Sequence, residues 1–479
     1  MKKMMMVGLL MVLLSAAGLA EIMNNQVTVA HVGSKVRWSQ VALGPDGIAH
    51  VCYIEMFNSD WPEPTDRNPV YYVSYDGTKA STPLMLTANF NDFARQPGIA
   101  AGVNGMVAVV WAEPHDNSIF MRVFDPAIQD WQPIERVSNW GQDEPSVVIE
   151  PNGNIHVFFW HSGYGSCIAK SKINGVWEDE VVLSNQDTRC MKGNIALGED
   201  GTIWACWMER DCSNSNACMY KTMYSTRTAS TGWLDQKHVN LDGLSQELPF
   251  IAVGPNGIPW VTWGDTDEAE QSGIVVAKLD RVSNPIDMIT ARGTQHGPRV
   301  AADIYNNCHI ACQEGPGDLG NGILYLTNKS GNWQSQMMWG AFTKAGGVSA
   351  DGFGNVAVCW SAYFGEGGSD VYINSLDPIT PKYFFPPVNL TAAVSVSGVR
   401  HATRASYQLS WSANPSNTDS YLAGYKIYVK ENSGSYQLLA TVSKTTFSQT
   451  FDFTDSSKKR RFAVATVNLG GAQSVLAEF

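Results

Sequence analysis

Residues 143–160 read DEPSVVIEPNGNIHVFFW: an apolar strand, a Pro-Asn-Gly-Asn turn, and a second apolar strand that ends in aromatic side chains. The same sentence recurs at 36–53 (VRWSQVALGPDGIAHVCY), 94–111 (ARQPGIAAGVNGMVAVVW), 191–207 (MKGNIALGEDGTIWACW), 247–263 (ELPFIAVGPNGIPWVTW), 296–312 (HGPRVAADIYNNCHIAC) and 344–360 (KAGGVSADGFGNVAVCW). With the turn residue as anchor, the copies fall at Gly47, Gly105, Gly153, Gly201, Gly257, Asn306 and Gly354, separated by 48 to 58 residues.

A period of about 40 to 50 residues built from strands and glycine-punctuated hairpins is the signature of β-propeller blades. The expected fold is all-β, a seven-bladed β-propeller over residues 21–380. A weaker second half follows most copies, in which a turn carries Trp131, Trp177, Trp233 or Trp333. A repeated aromatic at a repeated position is packing, so these are expected between neighbouring outer strands. QVTVAHV, residues 26–32, precedes the first copy where an outer strand would end the preceding blade. It is expected to pair into the seventh blade and close the ring.

Charge divides the chain. Residues 387–479 hold nine Lys or Arg against five Asp or Glu, a net +4, whereas residues 21–386 hold 22 against 40, a net −18. So acidic a body argues against nucleic acid or an anionic membrane as partner, because phosphate binding needs clustered cations. At the start, Lys2 and Lys3, an apolar run from Met4 to Leu14 and small residues up to Ala20 compose a secretory signal peptide, residues 1–20. The mature chain is expected to be exported, to periplasm or exterior, without a membrane span.

Nine cysteines in an exported chain favour disulfides, and the odd number leaves at least one thiol outside them. Cys212 and Cys218 flank a short polar loop and are expected to bridge; Cys167 and Cys190 form the second expected pair. Cys52, Cys206 and Cys359 recur at one mid-strand position and read as small core residues. No cysteine or histidine spacing fits a metal site, and His50, His156 and His309 fall in non-adjacent repeats. No cofactor is therefore expected. The segment DTDEAE from Asp265 to Glu270 has the charge for calcium but not the glycine and spacing of an EF-hand loop.

Strand ends indicate where chemistry could gather. Eight residues beyond each anchor stand Glu55, Glu113, His161, Glu209, Asp265, Glu314 and Ala362; ten before it stand Arg37, Arg95, Asp143, Met191, Glu247, His296 and Lys344. Both sets are expected to crowd one mouth of the central channel, with Arg37 beside Glu55 and Arg95 beside Glu113. Such a mouth is where ligands and catalytic groups collect. Trp61, Trp140, Tyr164, Trp339, Tyr363 and Phe364 lie in loops expected on that rim. Aromatic faces next to carboxylates suit sugar rings. The acids and His161 are thus candidate catalytic groups, and Arg37, Arg95, His296, Trp61, Trp140 and Trp339 candidate ligand contacts.

After the Pro-rich linker, residues 381–388, the tail 389–479 resembles a fibronectin type III domain. The residues that carry the likeness are Pro386-Pro387, Leu390, Trp411 in YQLSWSA, Tyr425 in GYKIYVK, and Phe462 to Gly471 in FAVATVNLGG. The resemblance implies a β-sandwich acting as a spacer or adhesion arm. Where that family usually carries its corner tyrosine, this chain has Arg460.

The hairpins of the ring resemble those of sialidase-type propellers, whose first blade carries Arg-Ile-Pro about ten residues before the turn. Here Arg37-Trp38-Ser39 stands at that place, and Arg95-Gln96-Pro97 in the second copy keeps Arg-x-Pro. The Asp-box of that family is absent, and its arginine triad, tyrosine nucleophile and glutamate partner cannot be placed in this sequence. The likeness implies architecture and one or two arginines, not the activity. Three readings follow: an exported protein that binds a glycan or another protein through the rim, a glycan-active hydrolase or lyase, and a structural component of a surface assembly.

Overall fold

In a computed structural model, the described residues are 22–479 except 45–46, 57–67, 89–92, 103, 140–142, 162–164, 186–188, 213–217, 240–244, 267–271, 280–285, 291–294, 316–319, 344–345, 353, 380–385, 400–401, 416, 418–421, 433, 469–472 and 475. The signal-peptide segment, Trp61, Trp140 and Tyr164 lie outside the described residues.

Each turn anchor has a left-handed backbone: φ is 73°, 82°, 91°, 80°, 71° and 83° at the six glycines and 63° at Asn306. Glycine adopts this region without a Cβ penalty, and asparagine tolerates it. In every copy the anchor N–H donates to the carbonyl three residues earlier, from Gly47 to Gly44 through Gly354 to Asp351. One turn geometry therefore sets the register of all seven hairpins.

Six residues past the anchor stand Tyr53, Trp111, Phe159, Trp207, Trp263, Cys312 and Trp360, each at most 1% exposed. They fill the seams between sheets, and burying a large apolar side chain stabilises by roughly 1.5–3 kcal/mol. Trp131, Trp177, Trp233 and Trp333 are partly buried against these cores.

Among the described residues the strands form seven antiparallel sheets of four or five strands, followed by two sheets of three and four strands in the tail. The inner strands touch in cyclic order, from Lys35–Leu43 through Arg95–Ala101, Asp143–Ile149, Cys190–Leu197, Ser245–Val253 and Gln295–Ala302 to Val348–Ala350, which again meets Lys35–Leu43. This is the arrangement of a propeller around a central channel. Val27–Val32 pairs with Ser369–Ser375 as the outer strand of the last sheet, so chain start and ring end are hydrogen-bonded together.

Both expected disulfides are present, Cys167–Cys190 and Cys212–Cys218. The other five cysteines are buried thiols. The three mid-strand histidines each have a local partner: His50 with Tyr72 at 2.7 Å, His156 with Ser171 at 2.9 Å and Glu150 at 3.1 Å, and His309 with Tyr325 at 2.7 Å and Asp303 at 3.2 Å. No helix among the described residues is long and apolar enough to cross a membrane.

In the tail, Trp411 and Tyr425 meet edge to face at 5.6 Å in the core shared by the two sheets. Arg460 ties together one end of the tail. Its Nη1 donates to the Asp455 carbonyl at 2.6 Å, its Nε to Glu431 at 2.9 Å, and its guanidinium lies 4.1 Å above the Phe453 ring. A tyrosine corner likewise ties a side chain to backbone a few residues upstream. Arg460→Ala is expected to destabilise the tail by about 2 kcal/mol through loss of charge-assisted hydrogen bonds. Thermal unfolding followed by Trp411 fluorescence tests this, with Arg460→Tyr expected to recover part of the loss.

Candidate functional site

The inner strands do not run straight into the channel mouth. Pairing passes from Arg37↔Ile54 to Gln40↔Cys52, a gain of one residue on the inner strand, and the same extra residue recurs in the next five sheets. At each bulge one residue takes a left-handed backbone: Trp38 (φ 52°), Gln96 (44°), Glu144 (45°), Lys192 (43°), Leu248 (53°) and Gly297 (56°). The equivalent place in the seventh sheet lies outside the described residues. A non-glycine residue held in this region costs about 1–2 kcal/mol, so five of them at one level of a ring are a substantial strain. A bulge re-aims a side chain, and all six of these residues line one cavity of about 660 Å³.

That cavity has a polar wall and an apolar one. On the polar side, three successive bulge residues form a chain: Gln96 Nε2 donates to Glu144 Oε1 at 2.9 Å, the Glu144 amide donates to Gln96 Oε1 at 3.1 Å, and Lys192 Nζ donates to Glu144 Oε1 at 2.7 Å. Trp38, Leu248 and Phe250 supply apolar surface. Arg299 joins them, its guanidinium flat over the Phe250 ring at 3.6 Å. Two of its nitrogens, Nε and Nη1, are shut off from solvent without a hydrogen-bond partner. Burial pulls the Arg299 guanidinium down to about 10, against the raising effect of the Glu144 charge. Glu144 in turn holds the Lys192 ammonium above the ordinary lysine range.

Beside this chain, burial and then the neighbouring Glu144 carboxylate push Asp143 up to about 7, although Lys192 and Arg95 pull the other way. Asp143 is thus poised to hold or release a proton near neutrality, next to a carboxylate already engaged by a lysine.

Where the sequence placed the site and where the cavity lies differ by one to three residues. Among the described side chains, none of Glu55, Glu113, His161, Glu209, Asp265, Glu314, Arg37 or Arg95 lines the cavity, and neither does Asp143. The register explains this. Arg37 stands opposite Ile54 and Arg95 opposite Ala112, while Glu55 is opposite Val36. The arginine and acid sets therefore point to opposite faces of each sheet.

Glu55 accepts from Ser34 Oγ at 2.6 Å, and Glu314 from Gln295 Nε2 at 2.8 Å. Glu209, opposite the disulfide residue Cys190, is reached by Trp207 Nε1 at 3.4 Å, and Asp265 is buried opposite Gln246. His161 is buried opposite Ser166, Glu113 is half-buried opposite Ser118, and His296 pairs with Gln313. Arg95 lies 5.0 Å over the Phe93 ring and contributes to the field at Asp143. Trp339, expected in a rim loop, stands instead inside the outer strand Gln334–Thr343 opposite Gly322.

Gln96, Glu144, Lys192 and Arg299 were missed, although a signal was available. Gln96 and Glu144, and Glu144 and Lys192, are each 48 residues apart, one repeat, and all three are polar next to the positions that were read.

No known protein family and no curated protein matches this chain. Several solved structures are similar at low identity. A fungal alcohol oxidase in complex with copper is similar at 11% identity over 95% of this chain and 98% of its own, with a TM-score of 0.49. An ulvan lyase is similar at 10% identity over 72% and 95%, TM-score 0.49, and a Hadza microbial sialidase at 11% over 73% and 68%, TM-score 0.40. At these values no residue role passes from them to this chain.

Proposed function

We propose that this chain is an exported, glycan-active enzyme built on a seven-bladed propeller, that the central channel is its active site, and that its substrate carries an anionic group. One observation carries the reading. Arg299 lies over the Phe250 ring with two buried, unpartnered nitrogens, on the cavity that Gln96, Glu144 and Lys192 also line. Buried N–H groups without acceptors cost about 1–3 kcal/mol each, which a bound carboxylate or sulfate oxygen relieves.

In this reading Arg299 orients the substrate through its anionic group, and Trp38 offers a face to a sugar ring. Gln96 and Lys192 hold the Glu144 carboxylate in one position. The Glu144 carboxylate, which lines the cavity, takes a proton from a water whose oxygen bonds the anomeric carbon, while the glycosidic C–O bond breaks and the leaving oxygen takes a proton from solvent. The tail, in the fibronectin-like reading, is a spacer that presents the ring.

Turnover of acidic polysaccharides by the mature protein, with reducing ends and unsaturated products assayed in parallel, tests the proposal. Glu144→Gln is expected to lower kcat at least 100-fold with KM little changed, as loss of general base catalysis does. Equal turnover by Glu144→Gln would remove the catalytic role. A second reading, an exported binding protein using the same channel, is favoured by the engagement of Glu144 from two neighbouring strands. It predicts binding without turnover.

A further inference from the structure

Strand edges invite partners, and this protein protects most of its own. The outer strands of several ring sheets are only two to four residues long, as in Leu84–Met85, Glu135–Ser138, Val181–Val182 and Lys237–His238. The longer Gln334–Thr343 is engaged by Met23, whose N–H donates to Gln336 Oε1 at 2.6 Å and whose carbonyl accepts from Gln336 Nε2 at 2.8 Å. In the tail, the edge strand Ser448–Phe453 carries Asp452, and Gln437–Ser443 is interrupted by a bulge. Short length, charge, covering and bulges are the usual devices that keep edges from pairing.

One long edge lacks charge and covering, and its one bulge lies at its start, between Val388 and Thr391. Val388–Val399 pairs only with Ala402–Ser412, in unbroken register from Thr391↔Ser410 to Val399↔Ala402, and its other side pairs with no strand among the described residues. Thr391 to Ser397, TAAVSVS, contains no charge and no proline, and every one of these residues is exposed. Val394 and Val396 are 55% and 61% exposed, unusual for β-branched apolar side chains in a strand.

We infer that this edge is a self-association site, in which the strand Val388–Val399 pairs antiparallel with the same strand of a second copy about a two-fold axis at Ser395. The sequence is self-complementary in that register. Val394 faces Val396 of the second copy and the reverse, so four valines share one face, and Ala393 faces Ser397. No like charges meet, and each apolar cross-strand pair contributes roughly 0.2–1 kcal/mol. A foreign extended peptide would find no charge on this strand to select it by, whereas a second copy brings the matching alternation. The result is one continuous six-stranded sheet across two tails. Seven residues per chain bury well under the roughly 1,600 Å² of a standard interface, so the dimer is weak and concentration-dependent.

Cross-linking reads the register directly. In the proposed pairing Ser395 faces itself, with Cα atoms about 4.5–5.5 Å apart, within disulfide reach. Ser397 and its copy are separated by about 14 Å, four residues of strand. The mature Ser395→Cys variant, oxidised mildly at high concentration, is expected to give a covalent dimer at least ten times faster than Ser397→Cys. Sedimentation of the unmodified protein should show reversible dimerisation that Val394→Lys/Val396→Lys abolishes while the Trp411 fluorescence of the folded tail is retained. Equal cross-linking of the two cysteine variants, or a monomer at all concentrations up to about millimolar, where even weak protein–protein contacts populate, overturns the inference.

Discussion

Asp143→Asn is expected to stabilise the protein by up to about 4 kcal/mol above pH 7 and to leave it unchanged below pH 4. The folded-state pKa of Asp143 is raised from 3.8 to about 7, chiefly by burial and then by Glu144. Between those values the folded protein keeps a proton that the unfolded chain gives up. Stability from this group is therefore fully present below the unfolded pKa and is lost as pH rises through 7.

His156 acts in the opposite sense. Burial lowers it from 6.5 to about 4, so its contribution is present above pH 6.5 and lost as pH falls toward 4. The two slopes largely cancel in the unmodified protein between pH 4 and 6.5. Asp143→Asn should uncover the histidine slope, a rise of about 3 kcal/mol over that window. Urea unfolding at half-unit pH steps measures it. A variant profile with the same slope as that of the unmodified protein would mean that Asp143 ionises normally in the folded protein.

Glu144→Ala is expected to cost about 3 kcal/mol at pH 7, the low end for breaking a buried ion pair from one side. Its carboxylate receives Gln96 from one neighbouring sheet and Lys192 from the other, and Arg299 feels its charge. Removing it strands the Lys192 ammonium, of which only 32% of the side chain is exposed, beside a second cation. Asp143 compensates in part, since losing the adjacent charge lowers its pKa. The double variant Glu144→Ala/Lys192→Met should recover at least half of the loss. A double variant no more stable than Glu144→Ala would show that the Glu144 contribution does not run through Lys192.

The fold was legible because its determinants are local and repeated. Glycine or asparagine at each anchor, and an aromatic six residues on in all copies but the sixth, where Cys312 stands, together fix turn, register and seam. The pairings of Cys167 with Cys190 and of Cys212 with Cys218 were legible from position and loop polarity. Of the proposed site, Gln96, Glu144 and Lys192 lie one residue from positions marked in the sequence and Arg299 three from His296.

Its residues stand on bulges, and Trp, Gln, Glu, Lys and Leu do not advertise a left-handed backbone as glycine does. A single inserted residue reverses which face each neighbour takes. Glu55, Glu209 and Asp265 stand on the second strand of each hairpin, outside the cavity, whereas the bulges of the inner strands put Gln96, Glu144 and Lys192 on it. Arg299 lies two residues past a bulge on a strand whose expected polar residue was His296, so periodicity alone gave no reason to choose it.

That the channel is the ligand site is tested most directly by a glycan array probed with the mature protein and with Arg299→Met, which keeps the side-chain volume and removes the buried donors. The expected result is binding confined to carboxylate- or sulfate-bearing glycans, reduced at least 100-fold in Arg299→Met, as loss of a charged, buried hydrogen-bonding partner implies. Glycan binding equally strong in the Arg299→Met protein would contradict the account and place recognition elsewhere on the molecule.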